Sequence, residues 1–569
     1  MNVRALAAVA VAALLTGACE RRPASFTLSV VGTNDLHGGI LGAEGGGGLA
    51  WLGGYLSNLR AARQKDGGAV LLLDAGDLFK GTLESDLNEG AVVVEAYNAL
   101  GYQAATIGNH EFDYGPAGPA SIPHASSDDP LGALKARLTQ ARFPWVAANL
   151  VETASGRLVP LPNVTPSTIL TIAGVRVGIV GLLTEPAMTY TVAANVSGLA
   201  VAPITQALID EARRLREQGV PIVIGLAHAG GKCVSTDRPD DLSTCEANAE
   251  IFELARRLPR GLVDAIVAGH RHDPVAQVVN GVPIIQSWWR GRAFGRVDLT
   301  VDRDTARVLA HRLFQPQDLC GWRAAGRTGC APASAADAVP VEYEGLPVHQ
   351  SEQVAAILKP AADAAAALKA RPLNATLTAT LLKSDFAQSP VGDLEMDWMR
   401  AVVPGADAAL ANSAGLRSDL AEGPLTYGKL YELLPFDNLR LVITLTGKQL
   451  RTVIADNVTR SGSMVMLAGV RAEARCDRGF VSVSLRRESG RPIEDDERLR
   501  VVTTDFLATG GDSFFTSVMP LHLESTGEVL RDEIAAYLSR TGGSWGRERL
   551  ALPNRLTVAG TRPLPCAAR

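Results

Sequence analysis

Five short stretches of this sequence carry side chains that could do chemistry together. They are Asn34-Asp35-Leu36-His37-Gly38, Gly76-Asp77, Gly108-Asn109-His110-Glu111-Phe112-Asp113, Ala227-His228-Ala229-Gly230 and Gly269-His270-Arg271-His272. Five of the nine histidines of the chain fall within them. Imidazole together with carboxylate is the ligand set for Zn, Mn, Fe or Co at an exchangeable site. Each stretch directly follows an apolar run, at 28–31, 69–74, 104–108, 220–227 and 263–269. In open α/β sheets the ends of such strands share one crevice, so five distant segments can converge. A single Asp or His at a strand end is usually a cap or a hydrogen-bonded core residue. Five in series are not explained that way.

The elements that must position them follow from the same pattern. Apolar runs alternate with helical candidates such as Leu49–Arg63, Ile204–Gln218 and Glu250–Leu258, which argues for a layered α/β domain over 27–345. Within it, the Gly-rich run 45–48 reads as a flexible loop. It lacks the Lys-Ser/Thr of a phosphate-binding loop. Residues 316–345 read as loop-rich. Residues 346–371 read as a linker helix, alanine-rich and kinked near Pro360. Residues 372–569 read as a second domain of α/β or α+β class.

At 569 residues, 47% hydrophobic and 20% charged, the chain suits two globular domains. Its 55 basic and 60 acidic residues give a net charge of −5 with no basic block, so no nucleic-acid duplex is expected as a partner. Residues 1–18 read as an export signal: Arg4 is followed by the apolar run Ala5 to Leu15, too short to span a bilayer. Small residues then lead into Cys19, as in a bacterial lipoprotein signal. A lipidated Cys19 with a tether over 19–26 would make the chain an exported, membrane-anchored lipoprotein, periplasmic or at the cell surface. Ordinary cleavage would leave it soluble in the periplasm. Six further cysteines in an exported chain suggest disulfides. Short separations favour Cys233–Cys245 and Cys320–Cys330, leaving Cys476–Cys566 by elimination.

The order D-x-H, GD, GNHE, H, GHxH resembles that of the calcineurin-like metallophosphoesterases, and NDxHG with GNHEFDYG resembles the 5′-nucleotidase branch, over roughly residues 27–555. The resemblance implies an N-terminal four-layer α/β/β/α domain and a C-terminal α/β (α+β) substrate-binding domain. It implies two divalent metal ions (Zn, Mn, Co or Fe). Asp35, His37 and His272 would hold one, Asn109, His228 and His270 the other, and Asp77 would bridge them. Some members of the branch have Gln or Asn where this chain has His272. His110, paired with Asp113, would be the catalytic imidazole outside the ligand set. Glu111 reads as structural.

Three stretches of the second domain are similar to substrate motifs of the same family: Asn412 to Arg417, Leu434 to Asn438, and Phe506 to Phe514. By resemblance Phe436 and Phe506 would sandwich a nucleobase. Asp512 would take the ribose hydroxyls, Arg417 would clamp phosphate and Asn412 would assist it. One departure stands out. Relatives active on nucleotides often have an Arg where this chain has Ala387, and Lys383 is the nearby candidate to replace it. The implied activity is hydrolysis of nucleotide phosphoesters, nucleoside 5′-monophosphates first. A 2′,3′-cyclic nucleotide phosphodiesterase or UDP-sugar hydrolase is the near alternative. A thiosulfohydrolase or a non-enzymatic surface binding protein is remote. The expected partner is a small-molecule nucleotide, with membrane contact through the lipid anchor only and no protein partner.

Overall fold

The computed structural model describes residues 23–43, 45–118, 120–123, 125–326, 329–460, 464–546 and 554–567. The leader over 1–18 and Cys19 lie outside the described residues.

Two sheets stack face to face in the first half of the chain. The first runs in the order Val308–Asp318, Ala293–Asp302, Ser25–Thr33, Ala69–Asp74, Ala104–Thr106, Trp145–Val146, Val164–Thr165. Its strands are parallel from Ser25–Thr33 onward and antiparallel before it. The second runs Val275–Val279, Val282–Gln286, Ala265–Ala268, Ile222–His228, Val175–Leu183, Ser167–Ile172, with a parallel centre and antiparallel edges.

Alternation along single strands builds the layers. Leu71 and Leu73 face the second sheet, in one cluster with Val177, Ile224 and Val267. Leu72, between them, faces outward onto helical residues Leu52, Leu56 and Tyr97. In the second sheet Ile222 and Ile224 point inward, while Val223 packs outward with Leu208, Leu215 and Phe252. Neighbouring residues of one strand thus join different clusters, because successive side chains leave a strand on opposite faces. The result is the expected α/β/β/α order. The helical candidates appear as Leu49–Asp66, Ile204–Glu217 and Glu250–Arg257.

The second half is built on a mixed five-stranded sheet, in the order Val465–Ala468, Ala408–Asn412, Arg498–Thr504, Leu439–Thr446, Leu523–Val529. Helices Pro390–Ala401, Gly447–Val458 and Leu530–Thr541 pack on it through Trp398, Leu450, Ile454, Ile534 and Leu538. Between the halves, helix Glu352–Lys369 starts at Ser351, whose hydroxyl accepts from Val354 N at 3.4 Å. It continues unbroken across Pro360. Val354 and Leu358 join the core of the first half, and Ala365 joins that of the second.

Two local readings change. The Gly-rich run is no loose loop: Gly46–Gly48 pairs with Leu41–Ala43, and a Cβ at Gly46 would lie 2.5 Å from Cys330 Sγ and 2.6 Å from the Leu319 carbonyl oxygen. Glycine is required there by close packing rather than for flexibility. The segment expected to be loop-rich holds two small hairpins, Trp322–Ala324 with Ala338–Pro340 and Glu342–Tyr343 with Leu346–Pro347. The disulfides are Cys233–Cys245, Cys320–Cys330 and Cys476–Cys566. Among the described residues no helix is long and apolar enough to cross a membrane.

Candidate active site

The five stretches leave the C-terminal ends of Ser25–Thr33, Ala69–Asp74, Ala104–Thr106, Ile222–His228 and Ala265–Ala268. The first three strands belong to one sheet and the last two to the other, so the stack brings the ends together. Sharp turns aim the side chains. Asp35, His37, Asp77, His270 and His272 all have left-handed backbones, with φ of 50°, 46°, 60°, 76° and 58°. Such conformations cost about 1–3 kcal/mol each in a non-glycine residue and persist where a site over-determines them. The flanking glycines let the chains approach. A Cβ on Gly108 would lie 2.2 Å from Asp77 Oδ1, and one on Gly76 would lie 2.9 Å from His228 Nδ1.

The donor atoms converge. Ligand atoms of Asp35, His37 and His272 lie within 4.8 Å of one another, as do those of Asp77, His228 and His270, and of His37, Asp77 and His110. Asp77 stands between the groups: its Oδ2 is 3.7 Å from His37 Nε2 and 3.2 Å from His228 Nε2. Asn109 Oδ1 is 3.1 Å from His228 Nε2. His37 Nε2 and His272 Nε2 are 3.0 Å apart, and His270 Nδ1 is 3.2 Å from His228 Nε2.

The outer side of each group fixes its aim. His37 Nδ1 meets the Lys80 carbonyl at 3.0 Å and His228 Nδ1 meets that of Ala75 at 2.7 Å, which turns Nε2 of each inward. Asn109 Nδ2 donates to the Tyr190 carbonyl at 3.1 Å, leaving its oxygen for the site. Asn34 Nδ2 donates to Asp35 at 2.7 Å. Glu111 accepts backbone N–H bonds from Asp77, Leu78 and Gly108 at 2.6–2.8 Å, the structural part expected of it.

The electrostatics fit a cation. Burial and the neighbouring His272 hold His37 well below the usual imidazole range, and burial with His228 pulls His270 down to about 3. Both rings are therefore neutral, the form that ligates metal. Burial would raise Asp35, but the His272 imidazole outweighs it and holds the carboxyl at about 2. Burial opposes charge on His228, but Asp77 and Asp35 outweigh it and raise the ring to about 10. Without a cation this ring holds a proton that a bound metal would displace. Buried carboxylates with inward-facing imidazoles make a divalent-metal donor set.

His110 sits differently. Its Nδ1 is 2.6 Å from Asp113 Oδ2, and Asp113 Oδ1 accepts from Thr191 Oγ1 at 2.8 Å. Burial works against charge on His110, yet Asp113 and Asp77 more than offset it and raise its pKa. Its ring stacks on Phe436 of the second half, centroids 5.4 Å apart.

A cavity of about 850 Å³ joins the two halves. Asp77, Asn109, His110, Asp113, His270 and His272 line one end, and Asn412, Arg417, Phe436, Phe506 and Asp512 line the other. Arg417 lies 5.1 Å from the Phe436 ring centroid and 5.7 Å from that of Trp289. Asn412 donates its side-chain amide to Asp512, so these two are partnered with each other. Lys383 does not replace the missing arginine. Its ammonium is held by Asp385 at 2.7 Å and by the Leu416 carbonyl at 3.3 Å, and neither it nor Ala387 lines the cavity.

Sequence reasoning missed Trp289 and Lys80. Trp289 stacks on His272 with centroids 4.8 Å apart. It lies just beyond strand Val282–Gln286, so the strand-end rule could have found it. Lys80 is fully buried, pairs with Asp437 across the two halves and has Asp86 at 3.9 Å. Its place four residues before Glu84 gave no signal, since its partner lies 357 residues away.

Fold and site together define a calcineurin-like, metal-dependent phosphoester hydrolase. Residues 28–274 match the calcineurin-like phosphoesterase family model, and residues 367–518 match that of the 5′-nucleotidase C-terminal domain. The chain belongs to the 5′-nucleotidase family. It is 24% identical over 583 residues to a 5′-nucleotidase of Vibrio cholerae, covering 94% of this chain and 96% of that protein. It is 26% identical over 552 residues to Endonuclease YhcR of Bacillus subtilis, covering 92% of this chain but 41% of that longer protein. A solved structure of a 5′-nucleotidase precursor from Thermus thermophilus superposes with a TM-score of 0.72 at 26% identity, covering 94% of this chain and 100% of that one.

Proposed function

We propose that this chain hydrolyses nucleoside 5′-monophosphates to nucleoside and phosphate. One observation carries the reading: two groups of metal-ligating side chains with Asp77 between them reach, through Asp77, Asn109, His270 and His272, the same cavity as Phe436, Phe506 and Arg417. In this reading Asp35, His37 and His272 hold one divalent ion, Asn109, His228 and His270 a second, and Asp77 both. When bound, such ions neutralise phosphoryl charge and lower the pKa of water. Arg417 orients the phosphate by its planar guanidinium. His110, kept protonated by Asp113, stabilises charge at the phosphoryl group and the departing oxygen. Phe436 and Phe506 hold the base, and Asp512 with Asn412 takes the ribose.

A second reading, nucleotide diphosphate esters such as UDP-sugars, is supported by the cavity. Its volume, about 850 Å³, is near the upper end of the ~300–1,000 Å³ usual for small-molecule sites. Arg271 and Arg460 add cations to its wall.

We further read the division as a metallophosphoesterase domain over 27–345, a linker over 346–371 and a substrate domain over 372–569. Export on the 1–18 leader and lipid attachment at Cys19 complete the proposal. The deciding experiment is hydrolysis of a panel of 5′-monophosphates, 2′,3′-cyclic nucleotides and UDP-sugars, by chelated enzyme reloaded with Zn, Mn, Co or Fe. Monophosphates are expected to lead. Asp77→Asn is expected to weaken both metal sites and lower turnover by several orders of magnitude. Near-normal activity and metal content in that variant would overturn the site.

A further inference from the structure

Arg271, Arg417, Arg460 and Arg531 line the cavity. Three of them are held by oxygen acceptors. Arg271 pairs with Glu246 at 2.8 Å, Arg460 donates to the Ser513 carbonyl at 2.7 Å, and Arg531 pairs with Asp437 at 2.6 Å. Arg417 is the exception. Its guanidinium makes no hydrogen bond or ion pair among the described residues, and its neighbours are two aromatic rings. Phe436, with its centroid 5.1 Å from the guanidinium carbon, comes from the same half of the chain. Trp289, at 5.7 Å, comes from the other half.

Both rings also touch imidazoles of the metal end. Trp289 lies nearly parallel to His272, with ring planes 5° apart and centroids 4.8 Å apart, and Phe436 stacks on His110 at 5.4 Å. Trp289 is tied to the metal ligands through its backbone neighbours. The N–H of Ser287 donates to Asn34 Oδ1 and that of Arg290 to the Asp35 carbonyl, each at 2.8 Å. The ring does not line the cavity, so any effect on substrate passes through a neighbour. His272 has other contacts to aim it, His37 at 3.0 Å and Asp35 at 3.5 Å. The Arg417 guanidinium has only the rings.

We propose that Trp289 is a positioning residue for hydrolysis, which holds the Arg417 guanidinium in register with the metal ligands so that its N–H donors meet the phosphoryl oxygens. This rests on the reading of the site in which Arg417 orients the phosphate. The physical reason lies in what an aromatic face does to a cation. It attracts the guanidinium through its quadrupole and leaves the in-plane N–H donors free. A carboxylate in the same place would occupy the donor fork and cancel the charge that phosphate needs. Phe436 can fix Arg417 only relative to its own half of the chain. Trp289 is the contact that fixes it relative to Asp35 and His37, across the seam.

The test measures the Kd of inorganic phosphate by calorimetry on the metal-loaded enzyme, together with KM for AMP and for 4-nitrophenyl phosphate. None of these depends on the folded fraction. Trp289→Leu and Trp289→Met, which lack an aromatic face, are expected to raise all three by about 3- to 30-fold, the range of a cation–π contact. Trp289→Phe should retain most of the wild-type affinity. Metal content should be unchanged in all three variants. In an Arg417→Ala background, Trp289→Leu should have no further effect on phosphate. A full additional loss in that double variant would overturn the inference, as would loss of an ion from Trp289→Leu, since Trp289 would then serve His272 instead. A Phe variant as weak as the Leu variant would overturn it too. A wild type that cleaves 4-nitrophenyl phosphate but no nucleotide would overturn the nucleotide reading alone, with the role of Trp289 still read from phosphate binding.

Discussion

His110 differs from the other four histidines of the cluster in its partner. His37, His228 and His272 reach Asp77 or Asp35 at 3.2–3.7 Å inside the ligand set, while His110 meets the Asp113 carboxylate at 2.6 Å outside it, and Asp113 is itself held by Thr191. That pairing favours the imidazolium, and a cation cannot ligate a metal. His110→Asn is therefore expected to lower kcat by roughly 100- to 10,000-fold, the range for general acid–base groups, while both ions stay bound. Elemental analysis of the purified variant checks this, and loss of an ion would make His110 a ligand. Glu395, buried on helix Pro390–Ala401, gives a stability counterpart. Its carboxyl titrates near 4.5 when unfolded and at about 8 when folded, so between those values the folded state binds the extra proton. Stability should then fall as pH rises through that window, by several kcal/mol. Urea unfolding at both ends of the window should show Glu395→Gln gaining on the wild type at the alkaline end. Equal pH dependence in the two proteins would show the carboxyl to be solvated.

Among the elements, helix Glu352–Lys369 joins the two halves and carries a proline in its interior. Proline removes one backbone hydrogen bond and crowds the preceding turn, at a cost near 3 kcal/mol in a helix interior. Pro360 is solvent-exposed, so no packing offsets that cost. Pro360→Ala is expected to stabilise the protein by about 1–3 kcal/mol, read as a raised thermal midpoint. An unchanged or lowered midpoint would mean that proline at 360 is needed to seat Val354 and Ala365 in their separate cores. The strands behave more simply. Each of the five site strands is followed within two residues by a glycine or a left-handed residue that turns the chain, and every ligand but His228, which closes its own ladder, lies past the last paired residue.

At the scale of the molecule, the two halves close on one another through Lys80 with Asp437, Tyr431 with Asp86, and Lys369 with Glu84 at 2.8 Å. Phe436 lies in the same seam, stacked on His110. A nucleotide base would take the place of part of that contact, whereas a small aryl phosphate needs only the metal end. Phe436→Ala is expected to raise KM for a 5′-monophosphate by about 10-fold or more, since base–aromatic stacking is worth ~1–3 kcal/mol. The effect on an aryl phosphate should be far smaller. Equal effects on both substrates would remove Phe436 from base recognition.

The metal-ligand candidates were legible because their signal is local. An apolar run fixes a buried strand, and a glycine beside Asp or His fixes a turn at its end, so Asp35, Asp77 and His228 could be read without coordinates. The short disulfides and the helices were legible for the same reason. What the sequence could not supply is contact between residues far apart along the chain. Nothing local marks Lys80 as the partner of Asp437, Trp289 as the face beneath His272, or Glu395 as a buried acid with an unpaired oxygen. Lys383 looked like a substitute arginine by position alone, and the fold ties it to Asp385 instead. The run 45–48 looked loose by composition and is held tight by the Cys320–Cys330 bridge. Periodicity and turn chemistry act over a few residues and determine elements. Burial and pairing arise only when sheets stack and the two halves meet, so the cavity and its specificity belong to the tertiary structure.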